Sequence, residues 1–145
     1  MSLYLDTAYV AKCYLNEPEA QKVRSLVRDV RGLTSSAWCR PELSCLLLRH
    51  LREGGLSKAQ TVALHDLFLQ DVAHGVWNLI PVSTDLLEEV EDRLRRMRKV
   101  EIFLRAGDAV HLASAKRAGF DAVWTSDRHM LKAAPRFGLK GRSVG

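Results

Sequence analysis

Five acidic residues stand where an α/β chain would pass from strand to helix or helix to strand: Asp6, Glu42, Asp85, Asp108 and Asp127. Carboxylates gathered at one place without a cation repel, and some of them must stay protonated. A divalent metal removes that conflict. The donors are oxygens, with no Cys/His cluster of zinc spacing, so Mg²⁺ or Mn²⁺ suits them. Such a site can activate a water and stabilise charge on a phosphate during in-line displacement. Taken singly, each acid has an ordinary use. Glu42, Asp85 and Asp108 fall early in helices, where the dipole favours negative charge, and Asp6 and Asp127 suit strand-end turns. Their convergence is what points to chemistry.

That convergence depends on the elements that carry the acids. Val110, Leu112, Ala113 and Ala115 cover one side of a helix over about 106–118. Gly119 is the expected left-handed stop, and residues 122–125 read as a short strand buried on both faces. In a parallel unit the helix runs antiparallel to the strand that follows it. Its first turn therefore lies at the edge where that strand ends, and Asp108 is predicted to meet Asp127, nineteen positions away.

The rest of the chain repeats the alternation. Residues 3–5 form a first strand ended by Asp6, and helices are expected over 8–15 and from Pro18 to about 30. A strand over 32–34 leads to a helix reaching 52, capped by Ser35 or Ser36. Pro41 either kinks the start of that helix or marks its first residue. Ser57-Lys-Ala-Gln60 is a capping box opening a helix to about 74. A strand over 78–82 is followed by a charged helix over 85–99, capped by Ser83 or Thr84. A short helix over 128–134 and a strand near 139–144 complete the chain. This pattern predicts one α/β domain over 1–145, a mainly parallel sheet flanked by helices. Such sheets bind ligands at the carboxyl edge of their strands. Asp6, Glu42, Asp108 and Asp127 all map to that edge, and Asp85 qualifies on position as well.

Composition narrows the partners. With 47% hydrophobic and 27% charged residues the chain is expected to be globular rather than disordered, and its longest apolar runs are too short to span a bilayer. It lacks a charged-then-apolar leader, so a cytoplasmic protein without a membrane partner is expected. Cys13, Cys39 and Cys45 include no CxxC pair and read as buried free thiols. A net charge of +5 suits a polyanion such as RNA or an acidic protein tail. Five of the seven residues over 93–99 are basic, either a solvated helix face or a phosphate-contact surface. No GxxxxGK[ST], GxGxxG or GxSxG occurs. His111, one turn after Asp108, is expected to pack beside the site rather than ligate. His129 is expected to be exposed.

These blocks resemble PIN-domain ribonucleases, most closely the VapC-like toxins of toxin–antitoxin pairs. The matching segments are Leu3-Tyr-Leu-Asp-Thr-Ala-Tyr-Val-Ala-Lys12, Pro41-Glu-Leu43, Arg105-Ala-Gly-Asp-Ala-Val-His-Leu-Ala-Ser-Ala115 and Val123-Trp-Thr-Ser-Asp-Arg-His-Met-Leu131. Order, spacing and length agree over nearly the whole chain. The resemblance implies a PIN fold and a Mg²⁺/Mn²⁺-dependent endoribonuclease with metal-binding acids at Asp6, Glu42, Asp108 and Asp127. It also implies a homodimer and a small antitoxin whose tail lies over the active-site groove. Two residues depart from the pattern. Gly107 replaces a bulkier residue and is expected to loosen the helix start, and Pro41 is uncommon before the second acid.

Other functions fit less well. A phosphatase with Asp6 as nucleophile would want Asp-x-Asp, and residue 8 is alanine. A receiver-like regulatory domain would need a lysine facing the acids, and Lys132 and Lys140 are poorly placed. A PIN-like scaffold without activity is opposed by the presence of all four acids. Housekeeping RNA processing by a PIN nuclease remains the alternative to a toxin acting on tRNA or rRNA.

Overall fold

The computed structural model describes residues 1–98 and 101–145. Strands β1 (Ser2–Tyr4), β2 (Gly32–Ser36), β3 (Trp77–Ile80), β4 (Ala122–Trp124) and β5 (Lys140–Arg142) alternate with helices. The helices are α1 (Thr7–Lys12), α2 (Ala20–Val27), α3 (Cys39–Arg52), α4 (Lys58–Ala73), α5 (Thr84–Arg96), α6 (Ala106–Arg117) and α7 (Arg128–Ala133). Every ladder among them is parallel: β1 with β2, β2 with β3, and β4 with β5. A parallel bridge from Leu5 to Trp124 joins the two groups, and the Asp6 N–H donates to the Trp124 carbonyl at 3.1 Å. The resulting order is β3-β2-β1-β4-β5. The expected α/β class with a parallel sheet is borne out.

Alternation along the central strand divides the core. Leu3 and Leu5 pack with Val10 of α1, Leu43 and Leu47 of α3 and Phe68 of α4. Tyr4 faces the other way, into a core with Leu86 and Val90 of α5 and Leu112 of α6. The sheet is therefore covered on both faces, as a parallel sheet requires. Residues Ala109 to Ala115 of α6 are all buried. Their mostly small side chains let this helix lie close to its neighbours.

Local departures from expectation have local causes. β2 runs on through Ser35 and Ser36, because Ser36 is still paired with Ile80. Neither serine caps α3, although Ser36 Oγ accepts from the Trp38 N–H at 3.1 Å. Pro41 sits inside the first turn of α3, where backbone N–H groups have no helical partner and a missing one costs little. α2 begins at Ala20 rather than Pro18, after a turn that holds Glu19 at φ 68°. The end expected for the charged helix near Lys99 lies outside the described residues; the described helix stops at Arg96. Arg93 and Arg96 pair with Glu89 and Asp92 one turn earlier, at 3.7 and 3.1 Å. That supports the solvated-face reading for these members of the basic run. Cys39 is buried and Cys13 half-buried, but Cys45 is exposed on α3, so the uniform burial expected of the cysteines is wrong. All three are free thiols. No described helix is long and apolar enough to cross a membrane.

The Ser57–Gln60 capping box is present, with Ser57 N–H to Gln60 Oε1 at 2.8 Å and Gln60 N–H to Ser57 Oγ at 3.1 Å. Ser57→Ala should lower stability by about 0.5–2 kcal/mol, measured by urea unfolding. An unchanged midpoint would mean that α4 is held by packing alone.

Candidate active site

Asp6 follows β1 and caps α1. Its Oδ1 accepts from the Tyr9 N–H at 3.0 Å and its Oδ2 from the Thr125 hydroxyl at 2.6 Å. Only 4% of the residue is exposed, and that burial raises its pKa against the opposing pull of His111, Thr125 and the Tyr9 N–H. Asp127 caps α7 in the same manner. Its Oδ1 accepts from the N–H groups of His129 and Met130 at 2.7 and 3.2 Å. Thr125, fully buried, also accepts from the Asp127 N–H at 2.9 Å. One hydroxyl thus fixes both acids, which is possible because β1 and β4 are neighbours.

Asp108 lies in the first turn of α6, where the Arg105 N–H reaches its Oδ2 at 3.4 Å. Burial and then the neighbouring Asp127 raise its pKa, and Glu42 adds to the shift. The Arg105 side chain lies between the two aspartates, with Nε 3.7 Å from Asp108 Oδ2 and Nη2 3.6 Å from Asp127 Oδ2. Glu42 behaves in the opposite sense. Burial opposes its ionisation, but hydrogen bonds from His111 and Thr7 and the charge of Arg105 prevail and lower its pKa.

All four acids line one groove of about 970 Å³, together with Thr7, Arg105 and His111. Asp85 is exposed on α5 and does not line it. Strand order is the reason: Asp85 follows the edge strand β3, two strands from β1, whereas Glu42 follows β2 and Asp127 follows β4, the two neighbours of β1. Among the described residues no three His, Cys, Asp or Glu side chains form a ready-made metal shell. The donor set nonetheless fits a hard divalent ion in kind: carboxylates only, two of them driven toward protonation by burial and like charge.

Gly107 lies in the first turn of α6. A Cβ there would lie 2.8 Å from Trp38 Nε1 and 2.9 Å from Glu42 Oε2, so the missing side chain makes room for the second acid. His111 is buried beside the site as expected, and hydrogen-bonded within it. His129 is half-buried, its ring 5.2 Å from Phe103 and edge-on to it, rather than exposed. The reading of the sequence missed Thr7, Trp38, Arg105 and Thr125 as site residues. For two of them a signal existed: a threonine directly follows Asp6, and another precedes Asp127 by two.

The PIN domain family profile matches residues 3–135. The chain belongs to the PIN domain family. Its similarity to Ribonuclease VapC46 of Mycobacterium tuberculosis is 29% identity over 142 residues, covering 95% of this chain and 94% of that protein. Among solved PIN-like structures, the sarcin–ricin loop cleaving toxin VapC20 of Mycobacterium tuberculosis superposes with a TM-score of 0.72 at 20% identity, over 90% of this chain and 94% of that one. VapBC2 of Rickettsia felis, bound to promoter DNA, superposes at 0.69 and 14% identity over 99% and 98% of the chains. FitAcB of Neisseria gonorrhoeae does so at 0.65 and 17% identity over 99% and 98%. At these identities the superpositions establish the PIN fold.

The acids of this PIN domain carry opposite linkage to stability. Asp6 has a folded pKa above its unfolded value, so its ionisation destabilises the fold above that pKa, and the penalty fades as pH falls through it. Glu42 has a lowered folded pKa, so its contribution is present above the unfolded value and lost as pH falls through the folded one. With divalent ions chelated at pH 7, Asp6→Asn should raise the melting temperature and Glu42→Gln should lower it. Shifts of the same sign in calorimetry would refute this division.

Proposed function

We propose that this PIN domain is a metal-dependent endoribonuclease, the toxin of a toxin–antitoxin pair, that hydrolyses phosphodiester bonds in structured RNA such as tRNA or rRNA. The observation that carries the reading is the convergence of Asp6, Glu42, Asp108 and Asp127 on one groove at the carboxyl edge of a PIN-fold sheet. In this reading they are the metal-binding and catalytic residues. When bound, Mg²⁺ or Mn²⁺ supplies charge for the scissile phosphate and lowers the pKa of a water. The chain does the rest. Thr125 sets the spacing of Asp6 and Asp127, and Thr7 and His111 keep Glu42 ionised. Arg105, between Asp108 and Asp127, is placed to pair with a substrate phosphate. Arg49 and Arg52, farther along the groove, offer further backbone contacts.

A small antitoxin is the proposed protein partner. The groove joins its acids to Leu46 and Leu48, which fits a peptide with apolar residues and a cation. Arg105 shows that a guanidinium suits the space beside the acids. A homodimer in the cytoplasm is part of the same proposal, and exposed Val62, Leu67 and Leu69 on α4 supply apolar surface for an assembly.

Two experiments test this function. Purified protein should cleave RNA with Mg²⁺ or Mn²⁺ and stop when EDTA is added. Cleavage in EDTA that Asp6→Asn abolishes would rule out the metal mechanism. The second compares two near-isosteric changes. Asp127→Asn should reduce cleavage at least tenfold, about 1.4 kcal/mol of lost transition-state stabilisation or more. Asp85→Asn should leave cleavage near wild type and alter stability by about 0.3–1 kcal/mol. Exchange of the two phenotypes would move the site to the third strand.

A further inference from the structure

His111 is 2% exposed, and its ring is hydrogen-bonded at both nitrogens. Nδ1 lies 2.9 Å from the Tyr4 hydroxyl. Nε2 lies 2.8 Å from Glu42 Oε1 and 2.9 Å from Thr7 Oγ1. The partners come from β1, α3 and α1, so one imidazole on α6 ties together the elements that present Asp6, Glu42 and Asp108. An ionised carboxylate only accepts, so Nε2 carries a proton toward Glu42. In the neutral ring Nδ1 is then the acceptor for the Tyr4 hydroxyl, which burial holds in its protonated form. Thr7 donates to the same Glu42 Oε1 at 2.6 Å. Both donors therefore meet one oxygen. Oε2 is the other, beside Gly107, and no described side chain donates to it.

We propose that His111 is a positioning residue for Glu42. Together with Thr7 it holds Oε1 from behind, so that Oε2 faces the groove as the oxygen available to a divalent cation, and Tyr4 selects the tautomer that makes this possible. The inference rests on the reading of Glu42 as one of the metal-holding acids. It adds a division of labour within the carboxylate: one oxygen anchors and the other ligates.

Two substitutions separate the halves of the ring. His111→Gln places an amide nitrogen near Nε2, keeping the link to Glu42 and losing that to Tyr4. His111→Asn places its amide near Nδ1, where the carbonyl oxygen can accept from the Tyr4 hydroxyl, and loses the link to Glu42. Each gives up a buried hydrogen bond, so a purely structural histidine would respond alike to both. Mn²⁺ titration of the full chain, followed by electron paramagnetic resonance, should show His111→Gln within about threefold of wild type. His111→Asn should bind about 10–100-fold more weakly, the range found when hydrogen-bond partners of metal ligands are removed. Nitrogen-15 NMR of the wild type should show Nε2 protonated and Nδ1 bare, a readout that needs no variant to fold. Equal loss in both variants, or a wild-type ring protonated on Nδ1 alone, would overturn the proposal. If Glu42→Gln weakens Mn²⁺ binding while His111→Asn does not, only the role of His111 fails. If Glu42→Gln binds Mn²⁺ like the wild type, the reading of Glu42 fails and this inference falls with it.

Discussion

Gathering Asp6, Glu42, Asp108 and Asp127 along one groove has an electrostatic cost, and much of the local structure offsets it. Two unit charges 4 Å apart repel by about 4 kcal/mol at the effective dielectric of a protein surface. Each acid is given its own compensation. Asp6 and Asp127 serve as helix caps, so their oxygens accept backbone N–H groups that would otherwise lack partners. Asp108 lies in the first turn of α6 beside Arg105. Glu42, farther into its helix, is held by His111 and Thr7 instead. The compensation is uneven. Asp6 and Asp108 are still pushed toward protonation, whereas Glu42 is pushed toward ionisation.

The parallel sheet makes this crowding possible because it brings the carboxyl ends of β1, β2 and β4 side by side. The Leu5–Trp124 bridge is the seam between the two ladders, and the site lies directly beyond it. Residues behind the acids share in both stability and geometry. Thr125 links two caps across the seam, and Gly107 leaves the space that Trp38 and Glu42 fill. A site built in this manner has little slack, since the bonds that orient its acids also close its helices.

Much of the site was legible in the residues. The helix-then-strand unit after Asp108 placed that acid near Asp127 by handedness and direction alone, and the capping signal at Ser57 was read correctly. Ser35 and Ser36 were misread because hydroxyl residues serve equally as helix caps and as strand residues. Only the pairing of Ser36 with Ile80 decided between those uses. Cys45 was misplaced because helical spacing does not say which face of α3 is covered. Gly107 looked like a weakness because its neighbour in space, Trp38, is sixty-nine positions away in the chain.

By itself the sequence determined the α/β alternation, the parallel sheet, the chemistry of an oxygen-only acidic site and membership among candidate acids at strand and helix ends. These follow from local rules: period, caps, and the direction of a helix relative to its next strand. Tertiary structure decided which acids share the groove. Asp85 satisfies the same local rule as Glu42, an acid in the first turn of the helix after a strand, yet it follows an edge strand, and strand order is set by pairings between residues far apart in the chain. The partners of each carboxylate were settled in the same way. Tyr4 and Thr7 meet His111 more than a hundred positions later, through packing that no local pattern encodes.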